Sequence, residues 1–217
     1  LIIGVSGCVA QQEGEKLLKR SPHLDIVFGP QNIHKLKDML SEASIGKKRV
    51  VAIAQSGSID DDEYGHIPSD SGGRAYISIM RGCDNFCSYC IVPYTRGREA
   101  SRRSADIVRE AAGLASSGVR EVTLLGQNVN SYGARGGGDA AFPELLRMVA
   151  GVEGIKRVRF ITSHPRDISE GLICLFNDEP GLCRHMHLPV QSGSDAVLKK
   201  MGRGYTKKEY LAKVSRL

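Results

Sequence analysis

The chain has 217 residues, 41% hydrophobic and 25% charged, with a formal net charge of +6. That balance excludes a chain disordered throughout, and no apolar run approaches the roughly 18 residues of a membrane span. The modest positive charge admits a polyanionic partner such as RNA without establishing one.

The first elements alternate strand and helix: an apolar strand at Leu1 to Val5, a helix from Ala10 to Leu18, a strand at 25–29, a helix from Asn32 to Ala43, and a strand at 49–53. Short apolar strands separated by amphipathic helices imply a parallel α/β layer. Cys8 falls at the first strand-to-helix turn, where backbone dipoles favour a thiolate. Residues 54–73 are rich in Ser, Asp and Gly, lack apolar periodicity, and read as a linker.

The alternation resumes on a larger scale at Arg74. A strand at 75–80 feeds a cysteine-rich loop; a helix follows over 104–117, with Ser104 as its cap, Gly118 at its end, and Ile107, Val108, Ala111, Leu114 and Ala115 on one face. Then come a strand at 119–125, a glycine-rich loop at 133–138, a helix from Pro143 to Val149, a strand at 157–162 and a helix from Ser169 to Phe176. The pattern continues with a strand at 185–190, a short helix starting at Ser194, and capping-box spacing between Thr206 and Glu209 for a last helix. Right-handed crossovers would curl four such units into part of a barrel or stack them as a doubly wound sheet. The polar stretches 81–90, 126–131, 163–166 and 191–194 each follow a strand. In such folds ligands sit at the carboxyl ends of the strands, so these stretches are expected to share one mouth.

Cys83, Cys87 and Cys90 fall within "RGCDNFCSYC", while Cys8, Cys174 and Cys183 are scattered. This is not the spacing of a disulfide framework, and with no signal-peptide pattern it predicts a reducing, cytoplasmic setting. Three thiolates from one loop can wrap one face of a metal cluster, and soft sulfur suits iron–sulfur centres or zinc. A closed structural site usually recruits four protein ligands, so three point to an open position. The alternatives are a zinc site completed by a histidine, such as His164, His185 or His187, and plain buried thiols.

"CDNFCSYC", continuing as "IVPYTRGREASRR", resembles the signature of radical S-adenosylmethionine (SAM) enzymes, and within them the methylthiotransferase family. The resemblance runs on through "LLGQNVNSYG" (124–133), "SHPRDIS" (163–169) and "HMHLPVQSGSDAVLKKMGRGYT" (185–206), and covers essentially the whole chain. It implies an α/β fold: residues 1–53 the distal part of a flavodoxin-like N-terminal domain, and 74–217 the first four strands of an incomplete (β/α)6 radical SAM barrel. Without an initial methionine, and ending inside an apparent helix, the chain is expected to be part of a longer protein.

The chemistry implied by the resemblance explains the odd cysteine count. Cys83, Cys87 and Cys90 would hold a 4Fe-4S cluster whose fourth iron is chelated by SAM, and the reduced cluster would cleave SAM to a 5′-deoxyadenosyl radical. The target would be C2 of an isopentenylated adenosine beside a tRNA anticodon, with another tRNA adenosine or a ribosomal protein aspartate as the alternative. The implied partners are tRNA and an electron donor such as flavodoxin or ferredoxin, with no membrane and a monomeric state. From another class, an iron–sulfur electron-transfer protein or a zinc-stabilised RNA-binding protein stays open.

The resemblance also assigns individual positions. Cys8 would be one ligand of a second 4Fe-4S cluster in the complete enzyme, and Tyr89 would pack near the SAM adenine. Gly126, Gln127 and Asn128 lie where the SAM amino acid moiety binds, though the superfamily's commoner Gly-Gly-Glu pattern is not reproduced. From their place after the third and fourth strands, Ser163 and Gln191 would be SAM or substrate contacts, and Arg96, Arg98, Arg102 and Arg103, which follow the cysteine loop, would meet tRNA phosphates or the cofactor carboxylate. The ordinary rivals are core packing for Tyr89, a turn with satisfied amides for Gln127 and Asn128, and a solvated basic face for the arginines.

Overall fold

The computed structural model describes residues 1–46, 48–57, 59, 73–135 and 137–217, so most of the expected 54–73 linker lies outside the described residues. The first layer is built from β1 (Gly4–Ser6), α1 (Cys8–Glu13), α2 (Glu15–Arg20), β2 (Ile26–Phe28), α3 (Leu36–Gly46) and β3 (Val50–Ala52). The strands pair in parallel in the order β1-β2-β3, and the central strand is apolar at all three positions because both faces are covered. Ala10, Leu18 and Leu24 pack with Val27 on one side; Met39 and Ala43 pack with Ile26 and Phe28 on the other.

Two expected helices are broken. The one from Ala10 to Leu18 divides at Gly14, which takes φ +50°, a conformation open to glycine; a Cβ there would come within 2.9 Å of Ile53 Cδ1. The one from Asn32 begins as a 3-10 turn, Pro30–Lys35, because Pro30 fixes the entry and the Asn32 amide is drawn to the Ala54 carbonyl at 3.0 Å.

The larger unit comprises β4 (Arg74–Ser78), β5 (Met80–Arg81), α4 (Val92–Thr95), β6 (Ala100–Ser101), α5 (Ser104–Ser116), β7 (Glu121–Leu125), α6 (Phe142–Ala150), β8 (Arg157–Phe160), α7 (Glu170–Asp178), α8 (Asp195–Lys200) and α9 (Lys207–Val214). Its sheet runs β4-β7-β8, all parallel. Alternation sends Ala75, Ile77, Val122, Leu124, Val158 and Phe160 into one core with the apolar faces of α5, α6 and α7. Phe142, Phe160 and Phe176 meet edge to face, with ring centroids 5.2 and 5.8 Å apart. Ser169 caps α7, and Thr206 and Glu209 form the expected capping box on α9. A short antiparallel ribbon of β5 and β6 closes the cysteine loop at its base.

Residues 185–190, expected as a fourth strand, have no strand pairing: among the described residues, the sheet continues beyond β8 only as a Val158–Leu182 bridge. Pro189 has no N–H to give a ladder, and the Leu188 and Val190 carbonyls accept instead from the hydroxyls of Tyr210 at 3.0 Å and Tyr205 at 2.7 Å. Ser104 is also not the cap of α5; it is the first helical residue, after Arg103. The acceptor comes from afar: Asp139 takes the Ser104 N–H at 2.8 Å and its hydroxyl at 3.0 Å.

The two layers dock through glutamines. Gln31 donates to the Arg96 carbonyl and Gln55 to the Tyr94 carbonyl, both at 2.9 Å, so the N-terminal layer grips the end of α4. No helix among the described residues is long and apolar enough to cross a membrane.

Asp139→Ala is expected to lower the unfolding free energy by about 0.5 to 1 kcal/mol at neutral pH, the lower part of the range for a lost helix-start acceptor because Asp139 is exposed. The Ser104 backbone N–H holds the Asp139 carboxyl below its ordinary value. Its contribution is therefore complete above the unfolded carboxylate pKa of about 3.9 and lost as pH falls through the folded one. Urea titrations of both proteins should converge in acid; a gap that persists there would contradict this role.

Candidate active site

The loops after β5, β7 and β8 meet at one pocket, lined by Cys83, Cys87 and Cys90 together with Gln127, Asn128, Thr162, Ser163 and His164. Pro189, Gln191 and buried Arg203 also line it, with Tyr89 at its exposed rim. This is the carboxyl edge of a parallel sheet, where crossover connections leave strand ends and their loops free to converge.

The cysteine loop is held at each turn. Its base is fixed by the Cys83 N–H on the Gly97 carbonyl at 3.2 Å and by the Gly82 N–H on Gln127 Oε1 at 2.7 Å. Gly82 has φ +73°, and a Cβ there would lie 2.0 Å from the Arg98 carbonyl oxygen, so a side chain would displace the loop. Asp84 and Glu99 accept each other's backbone N–H at 3.3 Å across the loop. A tight turn donates the Cys90 N–H to the Cys87 carbonyl at 2.9 Å. Cys83 and Cys87 are buried and Cys90 is half-buried; burial pushes the Cys83 thiol up to about 11. An oppositely charged group in the pocket would be needed to hold it as thiolate at neutral pH.

Left-handed backbone clusters here. Among the described residues, the non-glycine residues with positive φ are Phe86 in the cysteine loop, and Thr162 and Gln191 on the pocket lining, at 45°, 68° and 66°. For β-branched Thr162 this conformation is a true outlier, the kind that surrounding structure holds at functional sites.

Below the pocket, Asn128 Nδ2 donates to Asp167 at 2.7 Å, which turns Asn128 Oδ1 away from that carboxylate. His164 Nδ1 accepts the Arg166 N–H at 3.2 Å, so the proton of the neutral ring sits on Nε2. Burial, with Arg203 nearby, lowers the His164 pKa to about 4 and keeps it neutral at physiological pH. Among the described residues, Asn128 Oδ1, Ser163 Oγ and His164 Nε2 are buried without a protein partner.

The sequence-expected residues divide in space. Cys83, Cys87, Cys90, Tyr89, Gln127, Asn128, Ser163 and Gln191 are brought together at the pocket. Tyr89 is 53% exposed at the rim and is no core residue. Gly126 is not on the pocket lining; it packs where a Cβ would come within 2.5 Å of Met80 Cγ. Cys8 lies apart from the pocket lining, its sulfur accepting from Arg96 Nε at 3.2 Å. Arg98 and Arg103 are exposed, with Arg98 paired to Asp84 at 2.8 Å. Arg102 does not join a phosphate-binding surface: it is buried, 2.6 Å from Glu110 and 2.7 Å from the Ser78 carbonyl. His185 and His187 are absent from the lining, so only His164 of the histidines weighed as zinc ligands reaches the pocket.

Thr162, Arg203 and the hydrogen-bonding role of His164 were not read from the sequence as functional. Backbone strain at Thr162 leaves no sequence signature, but Arg203 stands in "GRG", whose two glycines signal a tight reversal.

The pocket suits a composite group that takes soft sulfur donors on one side and polar contacts on the other. The three cysteines line it, and Asn128, Ser163 and His164, each with an unpartnered polar atom among the described residues, line it too. Among the described residues, no three His, Cys, Asp or Glu side chains converge on a single-ion position.

A parallel α/β fold with three cysteines at its strand-end mouth defines a class of cofactor-dependent enzymes, and the Radical SAM superfamily profile matches residues 77–217. The chain belongs to the radical SAM superfamily, whose members use a 4Fe-4S cluster and SAM. It is 55% identical over 221 residues to the tRNA-2-methylthio-N(6)-dimethylallyladenosine synthase of Pelobacter propionicus, covering 100% of this chain and 49% of that relative. Identity to the synthase of the same name from Geobacter sulfurreducens is 53% over 220 residues, covering 100% and 48%. The chain thus spans about half the length of the curated relatives it matches. In fold it is similar to the cobalamin-dependent S-adenosylmethionine radical enzyme OxsB with aqua-cobalamin and S-adenosylmethionine bound, at TM-score 0.62 and 12% identity over 99% of this chain and 34% of that one. The radical S-adenosylmethionine methyltransferase TsrM from Kitasatospora setae aligns at TM-score 0.53 and 21% identity, over 67% and 28%.

Neutral His164 makes stability pH-dependent. The unfolded ring protonates near 6.5 and the folded one near 4, so the contribution is complete above about pH 6.5 and lost as pH falls toward 4. His164→Gln is expected to flatten the unfolding free energy across that window, by a slope approaching roughly 1.4 kcal/mol per pH unit. Identical profiles in denaturant titrations of the two proteins would contradict a buried neutral imidazole.

Proposed function

We propose that this chain is part of a radical SAM methylthiotransferase that places a methylthio group on C2 of N6-isopentenyladenosine beside the anticodon of tRNA. The observation that carries the reading is the three-thiol pocket, in a chain 55% identical over its whole length to a curated synthase of that class. In this reading residues 1–53 are the distal part of the methylthiotransferase domain and 74–217 the radical SAM unit, with 54–73 between them. The enzyme acts in the cytoplasm and draws electrons from a flavodoxin- or ferredoxin-type donor.

Cys83, Cys87 and Cys90 would hold the cluster, and the polar residues that line the same pocket would hold SAM. When bound, the pair supplies one-electron chemistry that activates a substrate C–H bond. The chain's own part is to bind, orient and exclude water. Asn128 Oδ1 is left as an acceptor for an ammonium group because its Nδ2 is committed to Asp167, and His164 Nε2–H and Ser163 Oγ offer donors for a carboxylate or ribose. Tyr89, exposed at the rim, offers a ring face for adenine stacking, and Gln191 closes the same rim. Gln127 supports the cysteine loop through its bond to the Gly82 N–H. Exposed Arg98 and Arg103 are available to RNA phosphates. Cys8 would serve the second cluster of the complete enzyme, with Arg96 against its sulfur.

The test is turnover of isopentenylated tRNA with SAM, a reductant and a sulfur source by the reconstituted full-length enzyme, read by mass spectrometry of the nucleosides. The 2-methylthio product is expected from wild type and none from Cys87→Ala, whose circular dichroism should stay native. Product from Cys87→Ala would sink the assignment of the loop, and methylthiolation of an aspartate instead of tRNA would sink the substrate.

A further inference from the structure

We infer that Arg203 is a positioning residue that sets the redox poise of the cysteine-bound cluster, by holding the Cys87 sulfur in an N–H···S hydrogen bond and fixing a positive charge beside it. The inference rests on the proposed cluster at Cys83, Cys87 and Cys90.

After α8 the chain reverses through Met201 to Gly204 and docks on the cysteine loop. Ser88 donates its N–H to the Met201 carbonyl and its hydroxyl to the Lys200 carbonyl, both at 3.0 Å. Gly202 and Gly204, at φ +69° and +68°, flank Arg203, so the backbone turns sharply on both sides of it. Arg203 is 5% exposed, and its Nη1 lies 3.2 Å from Cys87 Sγ. The guanidinium also leans on Tyr205, with Nε 3.4 Å from the hydroxyl and its carbon 5.6 Å from the ring centre. Tyr205 is itself tied to the Val190 carbonyl. Among the described residues, the hydrogen-bond partners of Arg203 are thus a thiol and a phenol, neither of them a carboxylate.

A buried guanidinium needs a countercharge, because an unpaired charge in a low-dielectric site is costly. The anion within reach is the Cys87 thiolate of a loaded cluster. Hydrogen bonds to cluster sulfurs and nearby charge are levers on a cluster's potential. One-electron reduction by an external donor adds one negative charge beside Arg203; no bond breaks and no proton moves. A fixed cation 3.2 Å from a ligating sulfur therefore stabilises the reduced form and raises the potential.

The test uses the full chain reconstituted anaerobically with iron and sulfide, titrated with dithionite and followed by electron paramagnetic resonance. Wild type, Arg203→Lys and Arg203→Gln are compared, with iron content and circular dichroism for each. Arg203→Gln is expected to keep its iron and titrate at a lower potential, and Arg203→Lys, which keeps the charge, to fall between it and wild type. An Arg203→Gln protein with wild-type iron content and wild-type potential overturns the inference. Should Arg203→Gln bind no iron, the lysine variant decides: loading restored by Lys supports the charge, whereas a folded but empty Lys variant shows that only the shape of Arg203 matters and overturns it. Wild type that takes up no iron or sulfide overturns the cluster assignment and this inference with it.

Discussion

Asp167 stands where the three strand-end loops meet, its side chain only 11% exposed. A carboxylate so placed must be well partnered to remain charged. Burial raises its pKa, but the Asn128 hydrogen bond and the Arg166 charge outweigh that and leave it below the ordinary range. Its partners come from each loop: Asn85 beside the cysteines at 3.4 Å, Asn128 after β7 at 2.7 Å, and Arg166 after β8 at 3.3 Å. Arg166 Nη2 also donates to the side-chain oxygen Oδ1 of Asn85, which closes the network between these loops. The orientation of the polar wall toward the thiols follows from this one anion.

The second constraint lies on the opposite side of the cysteine loop. Gln31 and Gln55 reach from the N-terminal layer to main-chain carbonyls at the end of α4, which begins two residues after Cys90. Gln31 also accepts the Ser56 N–H at 2.9 Å, and Arg81 donates to the Ser56 carbonyl at 3.1 Å. Arg96 ends the same stretch with its Nε on Cys8 Sγ. The loop that carries three cysteines is therefore clasped between the two layers, and the fourth cysteine is held against the segment leaving it. Side-chain amides suit this work because each pairs with a backbone carbonyl at the end of α4 that the short helix leaves without an intrahelical donor.

Much of this was legible in the sequence where local chemistry decides. The apolar stripe at Ile107, Ala111 and Leu114 and the capping box at Thr206 and Glu209 each specify their element within a few residues. The cysteine spacing likewise announced the site, because three thiols in one loop cannot disperse. What escaped was set by contacts distant in sequence. Residues 185–190 have strand composition, yet their carbonyls go to two tyrosine hydroxyls rather than to a neighbouring strand. Ser104 has cap chemistry, but an aspartate 35 residues on supplies the acceptor. Arg102 stands in a basic run that suggests a surface, while Glu110 one helical segment later draws it into the core. Arg203 approaches Cys87 across 116 residues, a pairing that no local pattern encodes.

The central claim is that Cys83, Cys87 and Cys90 form an open cluster site, not a closed one. Electron paramagnetic resonance of the anaerobically reconstituted and reduced protein, with and without SAM, tests it most directly. The account predicts a 4Fe-4S signal that changes when SAM is added, because three thiolates leave one iron free to be chelated. A signal indifferent to SAM, or zinc bound with no cluster formed, would contradict it.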